Sequence, residues 1–179
     1  PLYEQVLKLL QAYRPRLQRA PLPLDEKSVF LITYPDQIQT RGLPPLASLE
    51  QFCSQTLQGT IRAIHLLPFF PFSSDDGFSV IDYRTVKPSF GSWKDIKRLE
   101  ERFQLMFDAV INHISAKSGW FSGYLRCYPP YINFFIEIKG EPDLSQVVRP
   151  RALPLVTAFS TPSGMKRLWT TFSADQVDL

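Results

Sequence analysis

The sequence lacks any apolar run of the roughly 18 residues that a membrane-spanning helix needs. Residues 1–20 are amphipathic and include Glu4 and Lys8, without an apolar central segment or a small-residue cleavage site. This composition argues against a secretory signal peptide. We therefore expect no membrane partner for the chain.

Cysteine is scarce as well, since Cys53 and Cys127 are the only two in 179 residues. Their separation matches no spacing typical of zinc or redox sites, so we predict no metal site. Isolated cysteines are typical of a reducing compartment, in which thiols stay free. The two cysteines therefore favour a cytoplasmic location.

The chain also lacks an excess of basic residues beyond its first 20 positions. Residues 1–20 hold four basic residues against Glu4 alone, and this difference accounts for the net charge of +3. The remaining residues balance at 16 basic and 16 acidic. A nucleic-acid-binding domain normally carries a basic stripe on its folded body. The charge pattern therefore predicts no nucleic-acid partner.

What the sequence does contain is an alternation of strand and helix patterns. In chain order we predict a helix over 2–19, a linker over 20–24, a strand over 28–34, a helix over 46–57, a strand over 61–67, a helix starting at Ser92 and a strand over 105–111. Apolar residues recur at helical spacing in the first segment. Ser92 and Asp95 resemble a capping box. Such alternation predicts a parallel sheet built from right-handed βαβ units.

The pattern changes after His113. Residues 115–179 are rich in aromatics and prolines, with short β-prone pieces at 131–138 and 168–172 and no helix of useful length. We interpret this part as an irregular subdomain inserted after the third strand. Because the chain ends at Leu179 without a capping element, we expect the protein to continue beyond it.

Three polar clusters follow the predicted strands, where ligand sites form in βα architectures. They lie at residues 33–36, 68–83 and 108–113. Carboxylates can accept hydrogen bonds from adjacent sugar hydroxyls, and aromatic faces can pack against sugar C–H groups. Together, the clusters favour a polyhydroxylated ligand.

Each of these residues also has a structural interpretation. Asp108 is consistent with a satisfied carboxylate in an apolar strand, and His113 with a strand cap. Asp75-Asp76-Gly77 is an ordinary turn sequence, and the phenylalanines of residues 69–72 are typical of a core. The joint placement of the clusters, more than any single residue, predicts the site.

Several stretches resemble a known family. HLLPFFPFSSDDGFSVIDYR at 65–84, GSWKDI at 91–96 and FDAVINH at 107–113 resemble the sucrose-phosphorylase group of the α-amylase superfamily. DAVINH is similar to the superfamily signature Asp-x-x-x-Asn-His at the end of the third barrel strand. Residues 115–121 and 149–154 look like the group's inserted B domain, and residues 169–179 resemble the approach to the fourth strand.

The resemblance implies an α/β fold, the N-terminal part of a (β/α)8 TIM barrel. Residues 1–24 would form an N-terminal helix and linker, 25–114 the first three strands of the barrel, and 115–179 the B-domain insertion. The remaining strands would lie after Leu179. An isolated chain of this kind would leave its third strand with an unpaired edge, so we expect it to be unstable or to aggregate alone.

The resemblance also implies roles at the sugar. Asp75 would bind glucosyl hydroxyls, Phe78 would pack against the sugar ring, and His113 would hydrogen-bond the 6-hydroxyl. Asp108 and Asn112 look like the pair that braces the signature strand, a structural role.

Further residues are implied at the phosphate or acceptor side. Arg151, with Arg149 beside it, is similar to the arginine that meets phosphate or the acceptor, and a guanidinium matches phosphate oxygens in a bidentate way. Tyr83 stands where sucrose phosphorylases have histidine, and we include it among the substrate-binding residues. The sequence around Arg149, RPRALPL, resembles that of relatives acting on glucosylglycerate or sucrose 6-phosphate. Sucrose is therefore not the only candidate substrate.

Catalysis in the family requires carboxylates that this chain does not include. Retaining glycosidases use two carboxyl groups about 5–5.5 Å apart, and in the family these two, with a third stabilising Asp, lie at the ends of strands four, five and seven. We therefore predict no catalytic residue here, no cofactor, and a chain inactive alone. The predicted partners are an α-glucoside, inorganic phosphate and the remainder of the barrel. An α-glucoside hydrolase and a non-catalytic carbohydrate-binding fragment remain as alternatives.

Overall fold

The computed structural model describes residues 1–16, 24–26 and 28–179. Helix α1 spans Leu2–Tyr13 and continues as a 3-10 turn over Arg14–Arg16. The last residues of the predicted helix and most of the predicted linker, 17–23, lie outside the described residues. The apolar side chains of α1 remain exposed, and none of its residues is buried against the rest of the described chain.

The central sheet has three parallel strands in the order β1-β2-β3. Strand β1 spans Phe30–Thr33, β2 spans Ala63–Leu66 and β3 spans Gln104–Phe107. Each strand is shorter than predicted. The sheet agrees with the predicted βαβ order, because a helix separates each strand from the next.

Two helices cover one face of this sheet. Helix α2 spans Pro45–Phe52 and ends in a π-helical turn over Cys53–Leu57, and α3 spans Trp93–Glu100. The predicted capping box is present, since Ser92 N donates to the Asp95 carboxylate at 2.8 Å. The core between helices and sheet includes Leu46, Leu49, Ile64, Leu66, Ile96 and Leu99. Burying one such side chain contributes about 1.5–3 kcal/mol.

The opposite face of the sheet is open. Ile32, His65 and Met106 occupy one register row across the three strands. Ile32 is 63% and Met106 44% exposed, and Phe30 is also exposed. Because side chains alternate along a strand, this face carries the residues that do not point to α2 and α3. Among the described residues, the outer edges of β1 and β3 have no strand partner.

Residues 113–179 build a second hydrophobic core. Strand β4, His113–Ser115, pairs antiparallel with β7, Gln176–Asp178. A hairpin joins β5, Val156–Thr161, to β6, Gly164–Trp169. This core contains Ile114, Phe121, Tyr124, Phe135, Leu168 and Val177. The chain therefore has two separate hydrophobic cores, one before and one after residue 113. The domain limits given from the sequence stay a prediction.

Two local predictions in this part were wrong. Helix α4 spans Gly119–Leu125 in a part of the chain where no helix of useful length was expected, and its first turn is capped by Ser118 Oγ, which accepts from Phe121 N at 3.1 Å. The predicted β-prone piece at 131–138 begins instead with a 3-10 turn, Tyr131–Asn133. Of the other β-prone piece, 168–172, the first two residues belong to β6.

Candidate functional site

The site forms on the loop that follows β2. Residues Asp75–Gly77 make a tight 3-10 turn in which Asp75 and Asp76 both have positive φ, 57° and 49°. Asp tolerates this left-handed region better than most residues, at a cost of about 1–3 kcal/mol each. At Gly77, with φ 108°, an added Cβ would lie 2.8 Å from the Pro68 carbonyl oxygen. The glycine lets the turn close against the end of β2.

A cavity of about 450 Å³ opens beside this turn. It is lined by Tyr34, Asp75, Asp76, Phe78, His113, Arg151, Phe172 and Gln176. Four of the substrate-binding residues predicted from the sequence, Asp75, Phe78, His113 and Arg151, therefore share one cavity. They come from the loop after β2, from β4 and from the long insertion.

Asp75 accepts side-chain hydrogen bonds from two other residues of the cavity. Arg151 Nη2 donates to both of its carboxylate oxygens, at 2.8 and 2.9 Å, and Gln176 Nε2 donates to one of them at 2.9 Å. Burial alone would raise the pKa of Asp75, but the hydrogen bonds from Arg151 and Gln176 and the charge of Arg151 outweigh it and lower the pKa. Asp75 is therefore an ionised carboxylate and a hydrogen-bond acceptor.

His113 is buried at the floor of the cavity. Its Nε2 lies 2.9 Å from the carbonyl oxygen of Phe78. A carbonyl only accepts, so this contact assigns the ring hydrogen to Nε2. Asn112 Nδ2 then faces Nδ1 as a donor, at 3.4 Å. The imidazole thus links β4 to the loop that carries Asp75.

Two further cavity residues were not named from the sequence. Gln176 is fully buried on β7, and its Oε1 accepts from Ser173 Oγ at 2.9 Å while its Nε2 reaches Asp75. The Phe172 ring lies 5.0 Å from the His113 ring between centroids and 5.8 Å from the Arg151 guanidinium carbon. The sequence offers no signal for either residue, because the burial of Gln176 and the position of Phe172 are visible only in the structure.

Other predicted residues lie elsewhere. The Tyr83 hydroxyl is directed at the carbonyl oxygens of Val110 and His113, at 2.6 and 3.0 Å, and burial raises its pKa to about 12. Tyr83 therefore supports the segment between β3 and β4 and does not line the cavity. Arg149 is exposed and also lies outside the set of lining residues.

Asp108 contacts a side chain of the central sheet. Its Oδ2 lies 3.0 Å from His65 Nε2, which joins β2 to the residue that follows β3. The carbonyl oxygen of Asn112 accepts from Leu179 N at 2.9 Å. The bracing role of the Asp108 and Asn112 side chains stays a prediction. His65 was not singled out from the sequence.

In the part of the chain that the structure describes, no three His, Cys, Asp or Glu side chains are grouped so that they could hold a metal ion. The helices found there are too short or too polar to cross a bilayer.

Comparison with known proteins places this geometry in a family. Residues 57–172 match the family described as alpha amylase, catalytic domain. Glucosylglycerate phosphorylase of Spirochaeta thermophila is 50% identical over 99% of this chain and 31% of its own length. The protein of the same name from Escherichia coli is 51% identical over 99% of the chain and 32% of its length.

A solved structure agrees with these relatives. Sucrose 6F-phosphate phosphorylase from Thermoanaerobacter thermosaccharolyticum superposes with a TM-score of 0.78 and 31% identity, over 89% of this chain and 35% of that one. The chain thus spans about a third of the length of the relatives that it matches. The predicted fold class is confirmed, and β1 to β3 are the first strands of a (β/α)8 barrel. The chain belongs to the alpha-amylase catalytic-domain family and, as its motifs predicted, resembles the phosphorylases of that family.

Proposed function

We propose that this chain supplies part of the sugar-binding site of a retaining glycoside phosphorylase. The enzyme would transfer a glucosyl unit from an α-glucoside to inorganic phosphate and release α-glucose 1-phosphate. The observation that carries the proposal is the shared cavity, in which an ionised Asp75, an aromatic Phe78, the imidazole of His113 and the guanidinium of Arg151 meet.

Glucosylglycerate is our first choice among the candidate donors. Two proteins named glucosylglycerate phosphorylase are 50% and 51% identical to the chain over 99% of its length. A protein named sucrose phosphorylase, from Agrobacterium vitis, is 34% identical over 86% of the chain. The difference in identity and coverage favours glucosylglycerate over sucrose.

The residues of this chain would bind and orient the sugar. Asp75 would accept hydrogen bonds from two adjacent hydroxyls, because an ionised carboxylate offers two oxygens. The rings of Phe78 and Phe172 would cover the C–H faces of the glucosyl unit. Arg151, which sits between Asp75 and Phe172, would meet the phosphate that enters next to the sugar.

The bond-making groups would come from beyond residue 179. A carboxylate there would attack the anomeric carbon, and a second carboxyl group would protonate the departing glycosidic oxygen. Phosphate oxygen would then attack the β-glucosyl-enzyme, release the carboxylate and restore the α configuration. The exposed edges of β1 and β3 support assembly with these further strands. The free thiols of Cys53 and Cys127 favour a cytoplasmic setting.

The test is phosphate-dependent turnover by the full-length protein. We expect glucosylglycerate and phosphate to give glucose 1-phosphate, with little free glucose. Release of glucose at the same rate without phosphate would instead identify a hydrolase. Binding of glucose without any turnover would identify a carbohydrate-binding protein.

The two neighbouring arginines provide a paired comparison within the same experiment. Since Arg151 lines the cavity and Arg149 is exposed outside it, Arg151→Ala should raise the KM for phosphate by about tenfold or more. Arg149→Ala should have a much smaller effect. A larger effect of Arg149→Ala would reverse the assignment of the phosphate-binding arginine.

A further inference from the structure

A cluster of serine hydroxyls surrounds one carboxylate just outside the cavity. Ser74 Oγ and Ser79 Oγ donate to Asp175 Oδ2 at 2.6 and 2.8 Å, and Ser73 Oγ donates to the same oxygen. Ser115 Oγ lies 2.6 Å from Ser73 Oγ and extends the network into β4. Asp175 is not among the residues that line the cavity.

The hydrogen bonds of the cluster have a consistent direction. Ser115 Oγ accepts from Lys117 N at 2.9 Å, so its own hydrogen is available to Ser73. Ser73, in turn, donates to Asp175. Ser79 and Ser115 are fully buried, so water does not compete for these bonds. The chain of donors therefore ends at the carboxylate of Asp175, which cannot itself donate.

The electrostatics of Asp175 agree with this arrangement. Burial alone would raise its pKa, but hydrogen bonds from the three serines and the positive charge of Lys117 outweigh burial and lower the pKa. Asp175 is therefore ionised near neutral pH, and an ionised carboxylate only accepts.

The cluster joins the two segments that carry the sugar-binding groups. Ser73 and Ser74 precede the Asp75–Gly77 turn and Ser79 follows it, so Asp175 holds both ends of that turn. Asp175 also directly precedes Gln176, whose amide donates to Asp75. One carboxylate thus fixes the relative position of the turn and of β7.

We propose that Asp175 is a positioning residue of the glucosyl site, which sets the placement of Asp75 and Gln176 through the serine cluster. This inference rests on the proposed function, because it assumes that Asp75 binds the sugar. Asp175 itself touches neither the sugar nor the phosphate.

The test is Asp175→Asn in the full-length protein. Asparagine keeps the shape of the side chain and can keep an oxygen facing the three serines, but that oxygen carries no charge. Because hydrogen bonds to a charged acceptor are stronger than those to a neutral one, losing the charge should raise the KM for the glucoside, and the dissociation constant for glucose, by about tenfold. The KM for phosphate should change less.

Asp178→Asn is the matched control. Asp178 is a buried carboxylate of β7, three residues after Asp175, and its oxygens accept from Thr171 N at 3.1 Å and from Thr171 Oγ1, within the same segment. Both variants should lower the melting temperature. Only Asp175→Asn should weaken binding of the glucoside, and an equal loss in Asp178→Asn would show that Asp175 is merely structural.

A double-mutant cycle with Ser74→Ala completes the test. If Asp175 acts through the serines, the effects of Asp175→Asn and Ser74→Ala on glucose affinity will be less than additive. Full additivity would overturn the inference. The two proposals can fail separately. If the wild-type protein binds glucose but forms no glucose 1-phosphate, the proposed function is refuted. The role of Asp175 is still tested, because the glucose dissociation constants of the variants can be measured without turnover.

Discussion

At the scale of single residues, Asp75 combines an unfavourable backbone with a favourable charge environment. Its φ is positive and its side chain lines the cavity, while Arg151 and Gln176 donate to its carboxylate and lower its pKa. The local cost of the turn is offset by these hydrogen bonds and by the closure at Gly77. A residue selected only for turn formation would not need two side-chain donors on its carboxylate.

Asp75→Asn should therefore abolish most sugar binding. The amide loses one acceptor position and the charge that pairs with Arg151, so we expect the glucose dissociation constant to rise by about tenfold or more. Titration calorimetry of the full-length protein measures this change. Asp143→Asn, which alters an exposed carboxylate in a loop, is the control and should bind glucose normally.

The pH dependence of binding follows from the same residue. The pKa of Asp75 is lowered in the folded protein, so the carboxylate contributes fully above its unfolded value of about 3.9. Its contribution is lost only as the pH falls through the lower folded value. Glucose affinity should thus be flat from about pH 5 to 8 with respect to Asp75. A loss of affinity between these values that disappears in Asp75→Asn would contradict this assignment.

Tyr83 should behave differently from the cavity residues. Its hydroxyl is directed at the Val110 and His113 carbonyls, so Tyr83→Phe should cost about 1 kcal/mol of stability. The KM for the glucoside should stay nearly the same. Chemical denaturation measures the change in stability, and steady-state kinetics measure the KM. A large rise in KM with unchanged stability would show that Tyr83 contacts the substrate, as predicted from the sequence.

The sequence was informative about residues that sit in recognisable motifs. Asp75, Phe78 and His113 could be named because they lie in motifs that resemble those of the sucrose-phosphorylase group and that follow predicted strands. Gln176 could not, because its importance depends on β7 returning beside β4 after more than 60 residues. The position of Tyr83 likewise depends on the path of the chain after β3, which no local pattern records.

At the scale of elements, prediction succeeded where hydrophobic periodicity and caps coincide. Helix α3 begins where Ser92 and Asp95 predicted. Helix α4 was missed because it has only seven residues, two of them glycines, Gly119 and Gly123, and glycine disfavours helix. The helix is stabilised by its core contacts, since Phe121 and Tyr124 are buried in the second core.

The two glycines of α4 give a paired prediction. A Cβ at Gly123 would lie 2.3 Å from the Tyr131 ring, whereas a Cβ at Gly119 would meet nothing within 4 Å. Gly123→Ala should therefore destabilise the protein by about 1–3 kcal/mol through overpacking. Gly119→Ala should be neutral or stabilising by up to about 1 kcal/mol. Melting temperatures of the two variants test this, and equal shifts would argue against close packing of α4 on Tyr131.

At the scale of the whole molecule, the described part of the chain leaves much apolar surface uncovered. Phe30, Ile32 and Met106 are exposed on the open face of the sheet. The outer edges of β1 and β3 are unpaired within the described residues, and exposed edges template aggregation. In the relatives, about two thirds of the length lies outside the matching region. The open face and the edges are where further barrel strands would pack.

The 179-residue chain expressed alone should consequently aggregate, and co-expression with the rest of the barrel should yield a soluble assembly. Ile32→Lys should reduce aggregation of the isolated chain, because it places a charge on the open face, and should also prevent assembly with the remainder. Ile111→Lys, at a residue 78% exposed outside the sheet, should leave assembly intact. Size-exclusion chromatography separates these outcomes. A monomeric chain that melts cooperatively on its own would show that three strands and the insertion bury enough surface to fold without the other strands.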